Sequence, residues 1–228
     1  MNGKQLINIF PNGFSNAYII LGEKPVMIDT GSERNPQDFV DFCSGLGIVP
    51  EDIELIAVSH EHADHYLSLD IIKELTGAPV LCHSAAKDFL VNGWPPSITP
   101  RTQVGADAIA SLHEIGEIPK VVPDMVIEGE YDLGPYGIPG AIVHTPGHSA
   151  GSLSVILDTG DVILGDIFVQ NEADGALVAA LFADDVPALE ESIKLLLTKG
   201  TSFYSGHGGP FSKDEIIAVL EKDVLKVF

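Results

Sequence analysis

Positive charge is what this chain has least of. Lysine and arginine together number 12 against 33 aspartates and glutamates in 228 residues, a formal net charge of -21. Non-specific affinity for phosphate backbones rests on clustered Lys and Arg, and no basic run occurs, so the composition argues against nucleic acid and against an anionic membrane face as partners. The acidity reads as a solvated surface. Cysteine is nearly missing as well: Cys43 and Cys82 form no CxxC and suggest no disulfide framework. Each stands in an apolar setting, where a buried free thiol is expected. Long apolar runs are also lacking. The opening stretch "MNGKQLINIFPNGFSNAYII" has a single lysine and is interrupted by Pro11 and Gly13, which suits neither a signal peptide nor a membrane span. A reduced, cytoplasmic protein is the expectation.

What is present is a globular composition, 45% hydrophobic and 20% charged, with no low-complexity linker and no short repeat. The length suits one domain over residues 1–228, or two intimately packed halves. "SNAYIILGEKPVMIDTGS" reads as two short strands about a turn, "NPQDFVDFCSGLG" as a helix stopped at Gly47, "IELIAVSH" as a buried strand, "SLDIIKELTG" as a helix closed by Gly77, and "APVLCH" as a strand followed by a short helix. From about 85 to 124 the pattern weakens into breakers around one amphipathic helical piece. Strand-like segments return in "DMVIEG", "GIPGAIVHTPG", "GSLSVILD" and "DVILGD". A helix, "DVPALEESIKLLLTKG", a short strand, "SFYSGHGG", and a last helix, "SKDEIIAVLEKDVLKVF", follow. Strands first and helices later, in each half, would bury their apolar faces as two mixed sheets packed face to face with helices outside. Periodicity alone supports an α/β or α+β unit.

Three of the chain's eight histidines fall between His60 and His65, in "SHEHADH". If the strand runs to its end, alternation puts His60 and His62 on one side, with Asp64 and His65 where the chain turns into its helix. Protonated histidines at such range repel, and a divalent cation resolves the conflict, since neutral imidazole and carboxylate are ligands of zinc and of first-row transition metals. One cation would use only part of the cluster, so two adjacent sites are expected. Further candidate ligands stand at turns beside apolar strands: His148 in "HTPGHSAGS", Asp166 in "VILGD", and His207 between glycines in "YSGHGG", where missing side chains let the backbone approach a crowded centre.

"VMIDTG", "SHEHADH", "HTPGHSAGS", "VILGD" and "SGHGG", in that order, resemble the metallo-β-lactamase superfamily of hydrolases. The resemblance runs from Tyr18 to His207. It implies an α+β fold, an αββα sandwich with metals at one edge between the sheets. It also implies roles: His60, His62 and His148 for metal one, Asp64, His65 and His207 for metal two, Asp166 bridging, and Asp29 supporting the ligands from behind. Departures narrow the reading. Ser59 replaces a common threonine, and Asp166 stands where zinc-cysteine β-lactamases carry Cys. Phe228 leaves no room for the helical domain of glyoxalase II enzymes, and Val169 replaces a tyrosine of similar lactonases.

The implied chemistry is hydrolysis of an ester, lactone, thioester or phosphodiester by a water activated between two divalent ions, zinc first, with iron or manganese as alternatives. Asp64 is the natural proton shuttle. A mononuclear iron site on His60, His148 and Asp166, as in persulfide dioxygenases, is the rival; "DIFVQNEADGA" lacks the arginines of that family. A non-catalytic metal-binding module is the third reading, opposed by His62 where diiron electron-transfer relatives carry glutamate. The substrate is expected to be a small molecule, with the 85–124 segment choosing it. Trp94, Arg101 and Tyr204 are candidates for the pocket, each with a plainer role as core anchor, surface ion pair or packed side chain. His83, His113 and His144 are expected to be rim, exposed and structural histidines respectively, and the apolar insert is a candidate homodimer face.

Overall fold

The computed structural model describes residues 6–94, 96–111, 117–171 and 175–222. Its first sheet begins with the hairpin β1 (Ile7–Asn12) and β2 (Ser15–Ile20) and continues through β3 (Val26–Ile28), β4 (Leu55–Ala57), β5 (Val80–His83) and β6 (Met125–Ile127), in that spatial order. Pairing is antiparallel up to β3 and parallel from β3 to β6. The parallel crossovers carry α1 (Pro36–Leu46), α2 (Leu69–Thr76), α3 (Lys87–Asn92) and α4 (Gln103–Ser111), as parallel strands require. The second half brings β7 (Tyr131–Asp132), β8 (Gly140–His144), β9 (Leu153–Leu157) and β10 (Asp161–Ile163), then a separate hairpin of β11 (Phe168–Gln170) and β12 (Leu177–Ala179). After α5 (Val186–Lys199), β13 (Ser202–Tyr204) and β14 (Phe211–Ser212) complete the second sheet, in the order β14-β13-β10-β9-β8-β7, and α6 (Lys213–Leu220) follows.

Side-chain alternation sorts these strands into layers. Tyr18 and Ile20 of β2, with Leu55 and Ala57 of β4, face Ile142, Val155 and Ile163 of the other sheet in the central core. Their neighbours Ala17, Ile19 and Ile56 point outward onto Phe39 and Cys43 of α1 and Leu69 and Ile72 of α2. On the far side, Val162 and Phe203 meet Leu189, Ile193 and Leu196 of α5 and Ile216 of α6. The result is the αββα sandwich. The helices start where the sequence marks them: Asn35 accepts from the Gln37 backbone N–H with Pro36 in the first turn, and α1 stops at Gly47 in the left-handed region. Cys43 and Cys82 are buried thiols.

One expectation changes. Regular pairing in "IELIAVSH" ends at Ala57, so strand alternation does not place His60 and His62. The chain instead leaves the first sheet and is tied to the second by the Leu153 N–H donating to the Ser59 carbonyl, 2.7 Å. Asp64 and His65 stand in a short 3-10 turn, Ala63–His65, where the chain approaches α2. The short helix expected after "APVLCH" is α3, and the amphipathic piece of the weakly patterned segment contains α4. His113, the flank Pro95 and the part of the expected last helix beyond Lys222 lie outside the described residues. Among the described residues no helix is long and apolar enough to cross a membrane.

Candidate metal centre

The sequence-predicted ligands come together at one edge of the sandwich, on loops that leave strands of both sheets. The loop after β4 supplies His60, His62, Asp64 and His65. The loops after β8, β10 and β13 supply His148, Asp166 and His207. Two groups result, His60–His62–His148–Asp166 and Asp64–His65–His207, with the donor atoms of each within 4.8 Å of one another. Asp166 reaches both: one oxygen lies 3.9 Å from His60 Nε2 and from His148 Nε2 and 3.2 Å from His207 Nε2, and the other lies 3.3 Å from His65 Nε2.

Hydrogen bonds behind the rings decide which nitrogen faces inward. The Asp29 carboxylate accepts from the Ser59 N–H and Ser59 hydroxyl, both 2.6 Å, and from His65 Nδ1, 2.8 Å. Because the Ser59 hydroxyl hydrogen is committed to Asp29, its oxygen accepts from His60 Nδ1, 2.9 Å away. His148 Nδ1 donates to the Phe182 carbonyl, 3.1 Å. Each of these contacts turns Nε2 inward, where the neutral ring carries its lone pair, the arrangement that carboxylate or carbonyl partners impose on metal-binding histidines. Asp29 does this from a left-handed backbone, φ 58°, a conformation costly outside glycine and held here by its own carboxylate bonds.

The buried Nε2 atoms of His60 and His65 and the buried Oδ1 of Asp166 have no hydrogen-bond partner among the described residues, and His62 Nδ1 and His148 Nε2 converge to 2.9 Å. Buried polar atoms are normally satisfied. Inward lone pairs and carboxylate oxygens at this density fit divalent cations by number and by chemistry. Gly206 fits as well, since a Cβ there would come within 2.5 Å of the His65 ring.

Electrostatics divides the groups. Burial, reinforced by neighbouring imidazoles, pushes His60 well below its usual value and His62 down to about 3; burial likewise lowers His148. For His207 and His65 burial works in the same direction, but the surrounding carboxylates outweigh it. Asp166 and Asp64 raise His207 to about 10, and Asp166, Asp64 and Asp29 hold His65 well above its usual value. Burial would raise both acids, yet His65 and His207 hold Asp64 down at about 2 and keep Asp166 well below the carboxylate range.

Residues 11–207 match the family model described as the metallo-beta-lactamase superfamily. The chain belongs to this superfamily. It is 31% identical over 205 residues to the probable metallo-hydrolase MJ0888 of Methanocaldococcus jannaschii, covering 86% of this chain and 90% of that one. Among solved structures it superimposes on ST1585 of Sulfolobus tokodaii, described as an archaeal metallo-beta-lactamase superfamily protein. The TM-score is 0.70 at 24% identity, over 96% and 86% of the two chains. A second, TTHA1623 in a di-iron-bound form, gives 0.63 at 23% identity over 90% and 93%.

Trp94, Arg101 and Tyr204 are not among the described residues that line the cavity at His207. Trp94 is 56% exposed, which also removes it from the core. Arg101 donates to the backbone carbonyls of Ala180 (2.7 Å) and Ala179 (3.2 Å), fastening the insert to β12 and its following residue. Tyr204 lies in the intersheet core, edge-on to Tyr18 with ring centroids 6.0 Å apart. Val169 is buried, in the middle of β11. His83 and His144 stack with centroids 3.8 Å apart, and His144 Nε2 is 3.0 Å from the Ala150 carbonyl. The groups that do flank the centre include a cavity of about 370 Å³ reaching His207, with Phe14, Asn16, Gln170 and Asn171 on its walls. Phe182, ring centroid 6.4 Å from those of His62 and His148, stands on the other side. Neither carries a ligand-like signature in sequence, which is why they were missed. Ser59 was visible beside His60, but nothing in its type announces a relay.

Proposed function

We propose that this chain is a binuclear metal-dependent hydrolase of a small, uncharged acyl substrate: an ester, a lactone or a thioester. The observation that carries the reading is the pair of ligand groups joined through Asp166, with buried inward donors unsatisfied among the described residues. The relative's description as a probable metallo-hydrolase supports it. His60, His62 and His148 would hold one cation, Asp64, His65 and His207 the other, and Asp166 both. The histidine and aspartate set suits zinc first; iron and manganese accept the same donors, and the di-iron form of TTHA1623 keeps iron in view.

Two divalent cations would supply Lewis acidity toward a substrate oxygen and bring water's ionisation near neutral pH. The protein's own part is proton handling and orientation. Asp64 is ionised at neutral pH and its side chain is 24% exposed, against 7% for Asp166. It is therefore the carboxylate placed to take a proton from water and return it to a leaving group. The cavity beside His207 presents side-chain amides and glycines with no Lys or Arg among its lining residues, which favours neutral acyl groups over phosphodiesters. Elemental analysis of protein from its native source, followed by a panel of lactones, thioesters, esters and phosphodiesters, tests the proposal. About two metals per chain and acyl hydrolysis abolished by chelation are expected. Full activity in metal-free protein, or turnover confined to phosphodiesters, would overturn it.

A further inference from the structure

Between His60 and His62 sits a carboxylate to which the proposed chemistry gives no task. Glu61 is 3% exposed, and a buried charge is costly to keep without partners. Its partners lie on the other sheet. Oε2 accepts from the Ser149 hydroxyl at 2.9 Å and Oε1 from the Gly151 N–H at 3.3 Å. Ser149 follows the ligand His148 directly, and its hydroxyl also lies 3.0 Å from that of Ser152. Two residues back from Glu61, the Ser59 carbonyl accepts from Leu153 N–H across the same gap. Gly151 is matched to this approach: a Cβ there would lie 2.5 Å from Glu61 Oε2 and 2.9 Å from Ala86 Cβ.

We propose that Glu61 is a positioning residue, a clasp that sets the distance between the His60–His62 arm of the first sheet and the His148 arm of the second. The proposal rests on the metal-binding reading above. The two arms converge where His62 Nδ1 and His148 Nε2 stand 2.9 Å apart, so a shift of the His148 loop alters the opening that a cation must match. Asp64, His65 and His207 lie outside the clasp. Their spacing is held by Asp29 on His65 and by the Ser205 hydroxyl, which accepts from the His207 N–H at 3.1 Å. A selective effect follows. A residue needed only for general core stability would affect both groups alike.

The test uses the full chain loaded with cobalt(II), a chelator competition to measure release of each ion, and paramagnetically shifted imidazole N–H signals to tell the groups apart. His148→Ala and His207→Ala assign those signals. Glu61→Ala should weaken retention at the His60–His62–His148 group by about ten- to a hundred-fold, the usual effect of removing a group that orients metal ligands, and leave the other ion unchanged. Ser149→Ala should act in the same direction with Glu61 intact, and it decides the matter where Glu61→Ala does not fold. Glu61→Gln, which keeps the shape and one acceptor, should restore part of the retention. Equal weakening of both ions, or of neither, overturns the clasp. Wild-type protein that takes up no cobalt overturns the metal reading and the clasp together. Protein that binds cobalt at both groups but hydrolyses nothing overturns only the hydrolase reading, because the retention measurements still decide the clasp.

Discussion

Five imidazoles share this cleft, and their surroundings hold them in two protonation states. Burial keeps His60, His62 and His148 neutral, whereas the carboxylates keep His65 and His207 protonated at neutral pH. A metal takes only the neutral ring. Loading the metal-free protein should therefore expel protons from His65 and His207 and none from the other three. Affinity at the Asp64–His65–His207 group should climb with pH until His207 titrates, near 10. Calorimetric titration in buffers of differing ionisation enthalpy counts those protons; a count of zero at neutral pH would refute the assignment. Ser59→Ala makes a second residue-level case. It cuts the contact between Asp29 and His60 but spares Asp29 on His65, so metal retention on the His60 side should fall by about ten-fold or more, read by chelator competition. The candidate ligands were legible because histidines as crowded as those at 60–65 need an explanation, and His148, Asp166 and His207 gained theirs only in that company. Arg101 was not, because a guanidinium meets a backbone carbonyl as readily as a substrate, and only the fold decides which lies in reach.

Helix α5 acts as the buttress of the His148 loop. Its Ser192 hydroxyl donates to the Pro146 carbonyl at 2.8 Å, and the Asp185 N–H at its head donates to the Gly147 carbonyl at 3.1 Å. Gly147 permits the contact: at φ 133° it has no side chain, and a Cβ would lie 2.5 Å from that of Leu189. Gly147→Ala should cost about 1–3 kcal/mol of stability and displace His148, lowering both the denaturation midpoint and the metal content on that side. Asp185→Ala, which removes the cap accepting from Ala188 N–H at 3.0 Å, should cost only about 1 kcal/mol in the same denaturation experiment. At this scale legibility followed length. Helices with caps and glycine stops could be read from their spacing. The three-residue strands β11 and β12 could not, because so short a run shows no alternation and owes its form to the partner strand. β4 misled for the related reason that its apolar run outlasts its pairing.

At the scale of the whole molecule the charge of -21 dominates. Like charges distributed over one surface repel and destabilise the compact state. Raising ionic strength from about 0.01 to 0.15 M shortens the screening length from about 30 to about 8 Å. The melting temperature of the metal-free protein should rise over that range, measured by thermal denaturation; an unchanged or falling value would mean that attractive pairs offset the repulsion. From apolar strands alone only an α/β or α+β unit was legible, and the αββα layering came from the family resemblance; the seam between the sheets was not legible locally, since no local pattern records which loops meet. That seam has a further meaning. Neither half owns a complete set of donors, for the first sheet contributes His60, His62, Asp64 and His65 and the second His148, Asp166 and His207. An ion held there would register the correct docking of the two halves, so that a newly made chain becomes competent only once both have folded and found each other, and a mispaired one stays inert.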